Sequence, residues 1–384
     1  MKKILLLLLL GNFGFAQSIL FKPLSTQASK STQSHLKSFE MFQFDPAKLV
    51  ATIDGIPGNV KELTIRTPEQ AWTVELFEYD LLSPNYKRLA GGITDARELP
   101  KRSDFRTFKG NIKGKNSIVS LSVADGFMKL MIDDFSSRWF IEPLDSGSQS
   151  ADVPGQHQYL FYKASDIIPV EGVTCGAEQL NEGLKNGEQH FKKEDPSRNK
   201  RCVEVKIALV ADFTMFFKYK TLVDCENQML SVMADVQTVF DNEFENEYVY
   251  EVTATKIADD VTTDPFGAIF DIGTQLNTFR AIALTLLNGV EHAVATCWSA
   301  KYMTGVIGIA FLPGVCSLDQ YNVCSDYIPA GGRQGNYLTL QAHELGHNWS
   351  CIHDAGISPT IMAPVINGSA TWSPLSIGFL NNHV

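Results

Sequence analysis

The chain has 384 residues, 44% hydrophobic and 20% charged, which is enough for two or three domains with their own cores and unlike a disordered or collagen-like chain. Its 43 acidic residues against 33 basic ones give a formal charge of -10, so a phosphate backbone would meet net repulsion and nucleic acid is not an expected partner. Split after Arg201, the first part holds 26 bases and 24 acids and the second 7 and 19, a slightly basic unit followed by a strongly acidic one.

In chain order, Lys2 and Lys3 precede the apolar run Ile4 to Leu10, and Gly14-Phe15-Ala16 offers small residues for cleavage after Ala16. Residues 1–16 therefore read as an export signal. The run is too short and too interrupted to span a membrane, no later segment is apolar for long enough, and no cysteine stands ready for a lipid anchor. A secreted protein without a membrane span is expected. A polar lead-in, Ser25 to Ser38, comes next. Trp72–Tyr79, Ser117–Val123, Phe127–Ile132 and Trp139–Pro143 are then rich in strand formers, with Ala124-Asp125-Gly126 as a hairpin signal. Residues 39 to about 165 are predicted to form a mainly β domain within a segment 17–190.

Residues 191–201, with Lys192-Lys193 and Arg198 to Arg201, read as an exposed basic linker open to proteolysis. From 202 to 384 strand and helix patterns alternate: Val203–Val210, Leu222–Phe244, Tyr248–Ile257, Phe270–Val290, Gly305–Leu312 and Tyr337–Trp349. Such alternation predicts an α/β layer on a mixed, mostly parallel sheet. Seven cysteines are present, Cys175 before the charge boundary and six after it. In an exported chain six cysteines predict three disulfides and leave Cys175 over.

The last predicted long helix carries His343-Glu344-Leu-Gly-His347, and His353 follows six residues later. Histidines four apart share one helix face, so both imidazoles can address one ion, while Glu344 is displaced from that point and suited to accept a proton from water. A chain reversal would bring His353 round as a third ligand. Three histidines leave a fourth position open, the pattern of a catalytic rather than a structural zinc. The acidic unit has five histidines, and three of them fall within eleven residues.

These residues resemble the motif of the metzincin metalloproteases, in which a Met-turn follows the three histidines; here Thr360-Ile-Met362-Ala-Pro364 is similar to it. Asp354 after the third histidine points to the reprolysin or adamalysin branch, the one containing the ADAM proteases. The resemblance implies that Met362 forms an apolar base beneath the zinc and that a buried Asp354 ties the His353 turn to the Met-turn. Upstream, Phe108–Gly114, Ser117–Ser122, Asp125–Phe127, Trp139–Leu144 and Gln156–Lys163 are similar to a reprolysin propeptide, and Cys175-Gly176 falls where that family keeps its cysteine switch.

The pattern is not followed throughout. Ser350 stands where the family has glycine, at a cost on the order of 1 kcal/mol for a left-handed turn. Leu375 replaces a family cysteine, which would leave Cys316 to pair with another such as Cys324. Of two glycosylation sequons, Asn348-Trp-Ser350 lies within the zinc helix and reads as accidental.

The resemblance thus implies a zymogen of an endopeptidase with one catalytic zinc held by His343, His347 and His353, Glu344 as general base, and its own propeptide as a partner. A protein or peptide substrate would lie extended along the strand containing Gly308, Ile309 and Ala310, with Pro364, Val365 and Ile366 walling a pocket for an apolar side chain. The alternative, prompted by Ser350, is an inactive homologue serving as a binding or inhibitory module.

Overall fold

In a computed structural model of the chain, the described residues are 17–24, 36–144, 157–168, 174–177, 203–301, 305–326, 333–356 and 358–382. The expected signal 1–16, the linker 191–201, most of the lead-in and Cys202 lie outside the described residues.

The N-terminal part runs through strands β1 (Gln17–Leu20), β2 (Lys22–Pro23) and β3 (Glu40–Phe44), then helix α1 (Pro46–Gly55). The short helix starts where the Asp45 side chain accepts the Ala47 N–H and Pro46 fixes the first turn. Strands β4 (Val60–Arg66), β5 (Ala71–Tyr79), β6 (Leu82–Ala90), β7 (Arg97–Leu99), β8 (Arg106–Ile112), β9 (Ile118–Ala124), β10 (Phe127–Asp133), β11 (Arg138–Pro143) and β12 (His157–Lys163) follow. All but β6 and β7 join one sheet of ten strands in the order β1-β4-β5-β8-β9-β10-β11-β12-β3-β2. The hairpin signal holds: Ala124 pairs with Phe127 around Asp125-Gly126, and Gly126 takes φ +68°.

One face of this sheet, with Val119, Leu121, Val123, Met128, Leu130 and Ile132, closes over a core of its own that Leu49 and Ile53 of α1 help to fill. The opposite face of β9 and β10, with Ser120, Ser122, Phe127, Lys129 and Met131, is buried as well. It is covered by the C-terminal part, and Phe127, Met131, Phe140 and Tyr162 share a cluster with Leu230, Met233, Leu338 and Leu345 of that part. The two parts therefore have one continuous apolar core between them.

The C-terminal part contains β14 (Val203–Ala211), α2 (Phe213–Tyr219), α3 (Leu222–Phe244), β15 (Tyr248–Ile257), α4 (Ile272–Leu286), β16 (Val294–Ser299), β17 (Val306–Ala310), β18 (Tyr321–Ser325), α5 (Gln334–Asn348) and α6 (Pro374–Asn381). With β13 (Thr174–Cys175), β6 and β7 these make an eight-stranded sheet in the order β13-β17-β18-β16-β14-β15-β6-β7. Neighbours are parallel except β17 with β18 and β6 with β7. Alternate residues of β14 face opposite layers: Val205, Ile207 and Leu209 look toward α3 and α5, and Ala208 and Val210 toward α4. The chain is a mixed α/β structure, and its N-terminal part adds one strand (β13) to one edge of the C-terminal sheet and two (β6 and β7) to the other.

The expected disulfides are a correction. All six described cysteines are free thiols, so neither three bridges nor a Cys316–Cys324 pair forms among the described residues. Cys225, Cys324 and Cys351 are buried within the large shared core and Cys297 in the layer on the other face of the sheet, whereas Cys316 is exposed. We expect alkylation of the denatured, unreduced chain to label all six, read by intact mass; two that resist labelling until reduced would reveal a bridge.

Candidate metal centre

Helix α5 is buried along its whole length. Its His343 and His347 sit one turn apart with their Nε2 atoms 3.0 Å from each other. The helix stops at Asn348, and Ser350 takes φ +75°, the left-handed conformation in which a side chain costs on the order of 1 kcal/mol. The Cys351 N–H then returns to the Gly346 carbonyl at 2.9 Å, and the reversed chain carries His353 Nε2 to 3.2 Å from both His343 and His347.

Asp354 is the clamp behind this turn. Its two carboxylate oxygens accept from the Ser373 hydroxyl at 2.6 Å and the Thr360 hydroxyl at 2.5 Å, while its N–H donates to the Met362 carbonyl at 2.8 Å. The His353 turn and the Met362 turn are thus held as one piece. Met362 is fully buried against Gly346, where a Cβ would stand 2.5 Å from its sulfur.

The placing of the protons on the donor set bears on whether it holds a metal. His343 Nδ1 lies 2.7 Å from the Ile361 carbonyl and His347 Nδ1 2.7 Å from the Cys351 carbonyl. A carbonyl can only accept, so each ring carries its proton on Nδ1 and turns a bare Nε2 to the centre. Burial, reinforced by the neighbouring imidazoles, holds His343 down at about 3 and His347 well below the usual histidine range, so protons do not fill the gap. Bare nitrogens so close need a cation between them. Around a tetrahedral zinc with Zn–N of about 2.0–2.1 Å, nitrogens stand about 3.3 Å apart, close to the 3.0–3.2 Å separations here. Cys175 supplies a fourth donor, its Sγ 3.4 Å from His347 Nε2, and the four ligand atoms lie within 4.8 Å of one another. The residues fit one zinc ion.

Glu344 points beside the cluster and is completely buried, with neither carboxylate oxygen hydrogen-bonded. Burial pushes the carboxyl well above its ordinary range, opposed by its interaction with the Cys175 thiol. The same burial, and then Glu344, raise the Cys175 thiol. Gly308 of β17 makes room for Glu344, since a Cβ there would fall 2.0 Å from Oε1.

Residues 174–177 lie in the cleft between β17 and the Met362 turn. Thr174 N–H donates to Gly305 O at 3.0 Å and Gly176 N–H to Gly308 O at 2.9 Å, while Cys175 N–H reaches across to Pro364 O at 3.3 Å. Of the other expected pocket residues, Ile309 and Ala310 are buried on β17, Val365 is half-buried, and Ile366 packs in the shared core.

Sequence reasoning passed over several supports. Asn348, read as an accidental sequon, is buried and bonds the Phe311 carbonyl at 3.0 Å and Asn322 at 2.8 Å, tying the helix to β17 and β18. Ser373 was also unmarked, and Thr360 and Ile361 were noted only as part of the Met-turn segment, because nothing local in the sequence distinguishes a residue that orients a ligand from any other.

Comparison with known proteins agrees with this geometry. Residues 201–374 match the model of a family described as metallo-peptidase family M12, which supports an M12-type, zinc-dependent metallopeptidase. The structure of metalloproteinase-II from Bacteroides fragilis is similar over 89% of this chain and 96% of that chain, with a TM-score of 0.54 at 10% identity. At that identity the likeness is one of fold, and it spans both parts of the chain. A chaperone-substrate complex matches over 47% of this chain and 34% of that one, at 11% identity and a TM-score of 0.35.

Gly346→Ala should drive a methyl into Met362 and destabilise the C-terminal domain by about 1–3 kcal/mol, read as a melting temperature lower by several degrees. An unchanged melting temperature would contradict the packing described.

Proposed function

We propose that the chain is a secreted zinc endopeptidase of the reprolysin branch, made as a zymogen whose propeptide is the N-terminal part. The observation that carries this reading is the convergence of His343, His347 and His353 on one point with Glu344 beside them and Cys175 across it. Asp354, buried between the two turns, supports the branch. The basic start and apolar run of residues 1–16 support export. No described helix is long and apolar enough to cross a membrane.

Bound zinc would supply a Lewis acid that polarises the scissile carbonyl and the attacking water. The chain's own part of the reaction falls to Glu344. Its carboxylate takes a proton from that water as the carbon–oxygen bond forms, then delivers it to the departing amine nitrogen as the carbon–nitrogen bond breaks. Its freedom from other hydrogen bonds leaves it available for both transfers. In the uncut chain residues 174–177 occupy the cleft beside Glu344, and opening that cleft would admit the water on which Glu344 acts.

A substrate would take the main-chain partners now used by the propeptide. Those are the carbonyls of Gly305 and Gly308 on β17 and that of Pro364, which together seat an extended peptide without demanding a sequence. Inhibition then has two parts, a thiol set among the three histidines and a backbone filling the seat. An apolar residue after the cut bond remains our expectation for specificity.

The test uses uncut protein loaded with zinc. Cys175→Ser exchanges a soft sulfur ligand for a hydroxyl that binds zinc poorly at neutral pH, so the uncut variant should hydrolyse peptides while uncut wild type stays silent. Adding Glu344→Gln should remove at least about a hundredfold of that activity with zinc content unchanged. Full activity in the double variant would remove Glu344 from the mechanism, and silence of Cys175→Ser would leave the filled cleft as the only inhibitor.

A further inference from the structure

The contacts between the two parts extend far beyond Cys175. Strand β6 pairs in parallel with β15, Val252 opposite Leu82 and Ile257 opposite Ala90, so the N-terminal part completes the far edge of the C-terminal sheet while β13 occupies the near one. A second group of contacts is polar and buried. Arg88 grips Glu226 of α3 with Nη2 at 2.7 Å and Nε at 2.8 Å, and Arg102 donates to Asn227 at 2.8 Å. A third reaches the zinc helix itself. The Gln334 N–H at its first turn donates to the Glu142 carboxylate of β11 at 3.1 Å, and Lys129 of β10 donates to the Gln334 side chain at 2.7 Å.

From these contacts we propose that the N-terminal domain is a retained subunit, staying tightly bound without a covalent link after the segment between residues 177 and 203 is cut. The inference rests on the zymogen reading for its meaning, but its physical content is an association between two pieces of this chain. An added strand supplies main-chain hydrogen bonds, the shared cluster around Phe127, Met131, Phe140 and Tyr162 supplies apolar burial, and Glu226, 1% exposed, loses both its guanidinium partners, Arg88 and Arg102, if the pieces part. Because Cys175 lies on the N-terminal side of any such cut, cutting alone leaves the thiol among the histidines. Release then requires digestion or unfolding of the N-terminal domain. The general attraction of a basic part for an acidic one would weaken in salt; buried contacts would not.

The experiment inserts a site-specific protease sequence between residues 190 and 202 of the full chain, cuts it, and follows the pieces by gel filtration. The expected result is one co-eluting species at micromolar and nanomolar protein, with a dissociation constant that changes less than about tenfold between 0.1 and 1 M salt. Separation of the cut wild type at micromolar protein would overturn the proposal, whatever happens to activity. Co-elution with full peptide hydrolysis would uphold the retained subunit and count against Cys175 as inhibitor, so the two readings fail separately. Arg88→Met, which leaves Glu226 without its main partner, should weaken the association of the cut pieces at least about a hundredfold, provided the uncut variant melts cooperatively; an unchanged constant would contradict the role given to the buried pair.

Discussion

Three imidazole nitrogens pressed to within 3.2 Å of one another, those of His343 and His347 without protons, are the constraint on which this structure turns. Such an arrangement repels itself unless a cation sits among the nitrogens, so the surrounding chain has to hold it together. Helix α5 sets two of the rings by its period, and the strained backbone at Ser350 brings the third. The Asp354 clamp fixes the return path, and two backbone carbonyls decide which nitrogen of each helical ring is bare. Gly346 and Gly308 remove the Cβ atoms that would collide with Met362 and Glu344. Ser350, which prompted the thought of an inactive homologue, adopts the conformation a glycine would take, and His353 still arrives beside its partners.

The support does not stop at the C-terminal domain. A helix start leaves N–H groups unpaired, and one of those on α5 is met by Glu142 from the other domain. With Lys129 on Gln334 and Phe140 packed 3.0 Å from where a Cβ of Gly335 would lie, the zinc helix is held from both sides. The N-terminal part thus serves the zinc-motif helix as a scaffold, and on the proposed reading it is the inhibitor as well.

What could be read from the sequence was whatever is local. The spacing of His343, Glu344 and His347 encodes a shared helix face, and the turn residues at Asp125-Gly126 encode a hairpin. An odd thiol directed attention to Cys175. Pairings between distant segments leave no such trace. β6 gives no sign that it joins the sheet of β15, and nothing in the strand pattern of β9 and β10 tells that Ser120, Ser122 and Lys129 are buried against the C-terminal part. The disulfide expectation came from the habits of exported proteins rather than from geometry, and the six described cysteines are free. The sequon at Asn348 is accidental, as its place in the helix implied, but nothing local showed that its buried side chain ties the helix to neighbouring strands.

The central claim is that the uncut chain holds one zinc between three histidine nitrogens and the Cys175 sulfur. X-ray absorption at the zinc edge of the uncut, zinc-loaded protein tests this most directly. The account predicts three nitrogens at about 2.0–2.1 Å and one sulfur at about 2.3 Å, with the sulfur shell gone in Cys175→Ser; a first shell of nitrogen and oxygen alone in the wild type would contradict it.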